Sequence, residues 1–203
     1  MVILAYGNSC VSVQAEVGND VSVAVLDPFE GEGSMRLPRG LTADLVFCSR
    51  ADATHGFAAG VGGTPYVVRM PGEFEVKGMM LDTRTLPLDH APEHLIARLY
   101  AEGMTVGYLG GLSRELTEEE TELVSGVDIL VLPVSGGDLI SSSSAAAIAQ
   151  TVEPRILIPL GSASDIASFK KEFGPVRVEE TAKFKIAKKS LPVDDVLLVV
   201  LNA

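Results

Sequence analysis

The chain has 203 residues, with 27 Asp+Glu against 16 Lys+Arg and a formal net charge of −11 at pH 7. A general nucleic-acid binder needs a surplus of Lys and Arg to neutralise phosphate, so this balance excludes that class. A hydrophobic content of 47% excludes a disordered or fibrous chain and supports one folded domain over residues 1–203. In chain order, Val2–Ala5, Cys10–Val17, Val21–Leu26, Leu45–Cys48, Tyr66–Val68, Phe74–Val76 and Met79–Asp82 are short β-branched or alternating runs, separated by Gly, Pro, Asn and Asp. Such runs are read as strands. Gly18-Asn19-Asp20 has the composition of a hairpin turn, and Glu102-Gly103 joins the next strand pair, Leu95–Ala101 and Thr105–Leu109.

The second half changes character. Thr117 and Glu120 form a capping box for a helix over Glu118–Val124, and Val127–Pro133 is a continuous apolar run suited to a strand buried on both faces. Ser142–Thr151 is an Ala-rich helix behind a serine N-cap, Arg155–Pro159 the next strand, and Ile166–Phe173 a helix stopped by Gly174-Pro175. Thr181–Ala187 and Val196–Leu201 close the chain as strands. A β-rich meander followed by βαβ alternation predicts an α/β (α+β) fold of two packed sheets with helices outside.

The N-terminal stretch lacks a basic segment and meets polar residues too early for a secretory signal, and no run approaches the roughly 18 apolar residues of a membrane-spanning helix. Cys10 and Cys48 sit in strand-like runs, where a free thiol behaves as a small buried group. The expectation is a cytoplasmic protein without membrane or nucleic-acid partners.

Seven strings in order carry a family resemblance: Gly7-Asn8-Ser9-Cys10, Leu26-Asp27-Pro28-Phe29, Ala43 through Ser49, Pro71 through Gly78, Glu102-Gly103 through Leu109-Gly110-Gly111, Val127 through Pro133, and Glu153 through Pro159. Together they resemble the metallo-β-lactamase superfamily, in particular small bacterial and archaeal metal-dependent hydrolases of that fold, over about Val2 to Leu201. The resemblance implies a four-layer αββα sandwich of two mixed β-sheets flanked by helices. It also implies a metal site held by a His-x-His-x-Asp-His loop, an Asp after a glycine-ended strand, and further histidines. Imidazole and carboxylate bind divalent metals, and an open coordination position turns bound water into hydroxide.

This chain departs from that ligand set. By position, Arg50, Asp52 and Thr54 replace the first His, the second His and the Asp of the loop, and His55 alone matches. Gly111 stands where the resemblance implies an Asp, and Gly161 where it implies a His. A catalytic zinc takes about three protein ligands plus water, whereas the loop offers Asp52 and His55, and Arg50 adds a permanent positive charge.

Other readings of single residues divide in the same way. His55 is a vestigial ligand, a proton carrier, or a histidine hydrogen-bonded in its loop. Arg50 pairs with Asp52 or Asp27 as a structural substitute for the metal charge, or binds an anion. His90 and His94 share a helical spacing, but Pro92 between them disfavours a helix and the resemblance places His94 at the entry to a strand, so the pair is read as an exposed loop. Ser49, Asp52 and His55 are too crowded on one loop for a serine triad. Ser141 and Ser142, at a helix start, are N-capping residues or an anion site together with Arg50. Lys170, Lys171, Lys183, Lys185, Lys188 and Lys189 form a basic concentration that is a solvated face or a partner surface.

These readings converge on a metal-free, catalytically silent member of the fold. It would act as a binding or interaction module for a small anion or a protein partner, as a homo-oligomer, with no cofactor. The alternative is a hydrolase of an ester or phosphoester dependent on Zn or another divalent metal, with a ligand set rebuilt from Asp27, Asp52, His55 and Asp138.

Overall fold

The computed structural model describes residues 1–31, 33, 35–86 and 94–202. β1 (Val2–Gly7), β2 (Cys10–Val17) and β3 (Asp20–Leu26) form an antiparallel meander. β4 (Leu45–Phe47) and β5 (Tyr66–Val68) extend it in parallel, and β13 (Phe184–Lys185) lies against β1. The first sheet is thus six-stranded, in the order β13-β1-β2-β3-β4-β5.

The second sheet begins with the antiparallel strands β6 (Gly72–Val76), β7 (Met79–Leu86), β8 (His94–Ala101) and β9 (Met104–Tyr108). It continues in parallel through β10 (Ile129–Pro133), β11 (Ile156–Leu160), β14 (Leu197–Leu201) and β12 (Arg177–Thr181). The parallel crossovers carry α1 (Glu118–Val124), α2 (Ser142–Val152) and α3 (Ala163–Phe173).

Alternation along the meander turns Val11, Val13, Ala24 and Leu26 inward, where they meet Phe47, Leu99, Tyr108, Val131 and Ile158 between the sheets. Strands β10 and β11 are buried on both faces because their outward residues Leu130, Leu132 and Leu157 pack under Ile148 and Phe169 of the helices. On the outer face of the first sheet, Cys10, Val25, Val46 and Cys48 lie under Phe29 and Val61 of the following loop, which contains a single 3₁₀ turn, Ala58–Gly60. No helix among the described residues is long and apolar enough to cross a membrane.

Three local expectations change. β12 has an Arg-Val-Glu-Glu-Thr sequence with four exposed residues, so it carries no apolar pattern; its pairing with β14 makes it an edge strand. The run expected as one strand over Thr181–Ala187 is broken after Thr181, whose hydroxyl and the Lys183 backbone bond each other in a turn before β13. α3 starts three residues earlier than its apolar pattern, because Ser162 and Asp165 form a second capping box.

Candidate functional site

A cavity of about 750 Å³ opens at one end of the sandwich. It lies between the β1–β2 turn (Asn8, Ser9), the loop after β4 (Arg50, Asp52, Thr54, His55) and the ends of β10 and β11 (Ser135, Leu160, Gly161). This is the size of a small-molecule site.

Behind the cavity, the chain leaves β3 at Asp27 with φ +50°, a left-handed conformation that turns its carboxyl under the following loops. Asp27 is fully buried. The Ser49 backbone N–H donates to its Oδ1 at 2.6 Å, the Ser49 hydroxyl to its Oδ2 at 2.6 Å, and the Tyr108 hydroxyl to Oδ2 at 2.9 Å. Tyr108 shares its single proton with the Ser9 carbonyl, 2.6 Å away, and the Ser9 hydroxyl donates to the Gly110 carbonyl at 2.7 Å. Burial pushes the Asp27 carboxyl up to about 6, against the opposing pull of His55, Ser49 and Tyr108. A protonated Asp27 also relieves the shortage of protons around Tyr108 Oη. The backbone fits this network only with glycine at 110, where a Cβ would fall 2.0 Å from Tyr108 Oη.

The cavity rim is built differently. Asp52 Oδ1 accepts from the Thr54 N–H at 2.9 Å, the Thr54 hydroxyl at 2.6 Å and the His55 N–H at 2.9 Å, and lies 3.0 Å from His55 Nδ1. Burial raises this carboxyl, but the bonds from Thr54 and His55 outweigh it and hold it below the ordinary Asp value. Asp52 Oδ1 is therefore committed to folding its own loop.

Arg50 does not form the expected ion pair with Asp52 or Asp27: among the described residues no carboxylate lies within 4.0 Å of its guanidinium. Its bond is a long one, 3.4 Å, to the Asp138 carbonyl. Asp27 is saturated by Ser49 and Tyr108, and Asp52 Oδ1 is occupied by Thr54 and His55.

The implied metal site can be tested against these residues. A Cβ at Gly111 would meet Ser49 Oγ at 2.5 Å and Arg50 Nε at 3.1 Å, so the space of a carboxylate ligand is filled by Ser49 and Arg50. A Cβ at Gly161 would meet the Asp165 Cβ at 3.0 Å and the Val134 Cγ2 at 3.1 Å. Asp138 is exposed and offers its carbonyl to Arg50, and no group of three or more His, Cys, Asp or Glu among the described residues could hold a metal ion. The donor set does not fit a catalytic divalent metal.

Other candidates fall elsewhere. Ser141 caps α2 by accepting from Ser144 N at 3.1 Å, Ser142 donates to the Val134 carbonyl at 3.0 Å, and neither lines the cavity with Arg50. Ser49 bonds Asp27 and not His55, so no serine triad is assembled. His90 lies outside the described residues. His94 stands at the entry to a strand, β8, as the resemblance implies, but with 0% exposure and not in an exposed loop, because Leu95 N–H bonds the Ser49 carbonyl at 2.8 Å and draws the strand beneath the rim. Among the described residues neither ring nitrogen has a hydrogen-bond partner, and burial together with Arg50, His55 and Arg114 pushes its pKa down to about 3. Lys183, Lys185, Lys188 and Lys189 are exposed.

Tyr108 and Ser9 are site residues whose roles the sequence does not announce. The one available signal is Asp27 itself, a charged residue directly following an apolar strand.

Residues 3–161 match the sequence pattern of the Beta-lactamase superfamily domain. A crystal structure of a candidate Zn-dependent hydrolase of the metallo-β-lactamase superfamily from Thermotoga maritima has a TM-score of 0.78 at 23% identity, covering 98% of each chain. A candidate metal-dependent hydrolase from Parabacteroides distasonis gives 0.64 at 18% identity, covering 84% of this chain and 86% of that one. The metallo-β-lactamase fold protein YhfI from Bacillus subtilis gives 0.64 at 12% identity, covering 99% and 96%. At these identities the structural likeness establishes the fold. No curated protein matches the sequence.

Proposed function

The chain belongs to the beta-lactamase superfamily, and from that premise we propose that it is a non-catalytic binding module in which Arg50 replaces the metal as the cationic centre of the cavity. The observation that carries this reading is the position of the Arg50 and Ser49 side chains, 3.1 and 2.5 Å from where a Gly111 Cβ would stand. A guanidinium is always charged and presents a planar fork of donors, so a cavity centred on it attracts a small anion. The same charge opposes a divalent cation, by on the order of 8 kcal/mol at about 4 Å and an effective dielectric of about 20, less where water screens it.

The competing reading, a metal-dependent hydrolase of an ester or phosphoester, draws on the pairing of Asp52 and His55 at the cavity rim. Of its remaining donors, Asp27 is closed inside its network and Asp138 is exposed.

Turnover of p-nitrophenyl acetate and of bis(p-nitrophenyl) phosphate, with zinc or manganese added, separates the two. Rates equal to the protein-free blank are expected. Metal-dependent turnover that disappears with a chelator and in His55→Ala overturns the binding-module reading.

A further inference from the structure

Resting on that reading, we propose that the cavity's ligand is an amphipathic monocarboxylate, its carboxylate held by Arg50 and its hydrocarbon body laid along the wall formed by Leu139, Leu160, Ile166 and Leu201. Three observations lead there.

The first is the charge inventory. Arg50 is the one Lys or Arg among the cavity-lining residues, whereas Asp52 and Asp138 both line it. A monoanion pairs with Arg50 and adds the least negative charge beside those carboxylates. A phosphate dianion would bring one extra negative charge into a rim that already holds two.

The second is the state of α3. Its start borders the cavity at Gly161 and Ser162, the position at which a helix offers free amides to an anion. Here Asp165 already serves them: the Ser162 N–H donates to Asp165 Oδ2 at 2.9 Å and the Ser162 hydroxyl at 2.6 Å. The helix end therefore presents its own carboxylate, which repels a phosphate dianion more strongly than a monocarboxylate and leaves Arg50 as the anchor. A guanidinium fork matches a carboxylate with two parallel bonds.

The third is the opposite wall. Leu160, Ile166 and Leu201 come from β11, α3 and β14 and line the cavity as a floor less than a tenth exposed, while Met35, 45% exposed, and half-buried Leu139 line it with open apolar surface. Together they give a chain of several methylenes an apolar face to cover. Each methylene buried there tightens binding by about fourfold.

Calorimetric titration of the full chain with butanoate, octanoate, octan-1-ol and inorganic phosphate tests this. Octanoate should bind about two orders of magnitude more tightly than butanoate, from its four additional methylenes. Octan-1-ol and phosphate should each bind at least about tenfold more weakly than octanoate, and Arg50→Met should lower octanoate affinity by at least about tenfold. Phosphate or butanoate binding as tightly as octanoate, and lost in Arg50→Met, overturns the monocarboxylate assignment while the binding-module reading stands. Octan-1-ol binding as tightly as octanoate overturns the assignment as well. Binding of none of the four probes removes both. If Arg50→Met does not fold, the chain-length and head-group comparisons on the unaltered chain still decide.

Discussion

Two neighbouring regions of this molecule have been built to different standards. Behind the cavity, Asp27, Ser49, Tyr108 and Ser9 form a closed network in which the buried carboxyl meets three donors within 2.9 Å. At the rim, a few ångströms away, Arg50 makes a single long bond, Asp52 Oδ1 is spent on its own loop, and glycines stand at 111 and 161. The difference teaches that the superfamily's fold and the metal-ligand set the resemblance implies are separable. The network locks the loops together and can persist while the residues facing the cavity change.

The largest expected effect tests that division directly. Asp27→Ala leaves the Ser49 N–H and the Ser49 hydroxyl without their acceptor and Tyr108 with the Ser9 carbonyl alone, and should cost about 3–5 kcal/mol in urea unfolding. Arg50→Ala should cost less than about 1 kcal/mol, since it removes one long bond from a half-buried side chain. Equal costs for the two variants would break the comparison.

The same division sets a pH dependence. Asp27 is raised from 3.8 to about 6, so the folded state holds its proton more tightly, and stability from this group falls as pH rises from about 4 to 6, by about 3 kcal/mol. His94 is lowered from 6.5 to about 3, so its contribution runs the other way, gained as pH rises from about 3 to 6.5. The two slopes oppose each other between pH 4 and 6. Each amounts to one proton, so they cancel over that window. In unfolding curves measured from pH 4 to 7, Asp27→Asn should turn the flat contribution of the pair into a rise of stability with pH, and His94→Leu should turn it into a fall. Unchanged profiles in both variants would show that the buried groups do not titrate as placed.

Smaller effects lie outside the site. Glu120→Ala removes the capping box of α1 and a paired contact with the Arg114 guanidinium, two bonds of 2.7 Å, and should cost about 1–2 kcal/mol. Ser141→Ala should lower the melting temperature by only a few degrees, about 1 kcal/mol for a lost N-cap, and leave octanoate binding unchanged. A loss of ligand affinity in Ser141→Ala would place that serine in the site after all.

Much of the scaffold can be read from local sequence because local chemistry dictates it. The unbroken apolar run ending at Pro133 becomes β10, and Thr117 with Glu120 starts α1, since each signal is contained in a few adjacent residues. β12 is illegible for the opposite reason: it is a polar edge strand that exists through its pairing with β14. The loop carrying Arg50, Asp52, Thr54 and His55 can be located by resemblance, and its departures from the family's ligands can be counted. Where the Arg50 side chain goes cannot be read, because that depends on Asp27 being saturated by Ser49 and by Tyr108, the latter 81 residues away in the chain. His94 misleads in the same manner. Pro92 argues for a loop, while a backbone bond from Leu95 to Ser49 carries the histidine under the rim.

The central claim is that Arg50 has taken the place of the metal. Incubation of the full chain with excess zinc, desalting, and elemental analysis tests it most directly. The account predicts well under about 0.1 zinc per chain, in the unaltered protein and in Asp52→Ala and His55→Ala alike. About one zinc per chain, retained on desalting and lost in either variant, would contradict it.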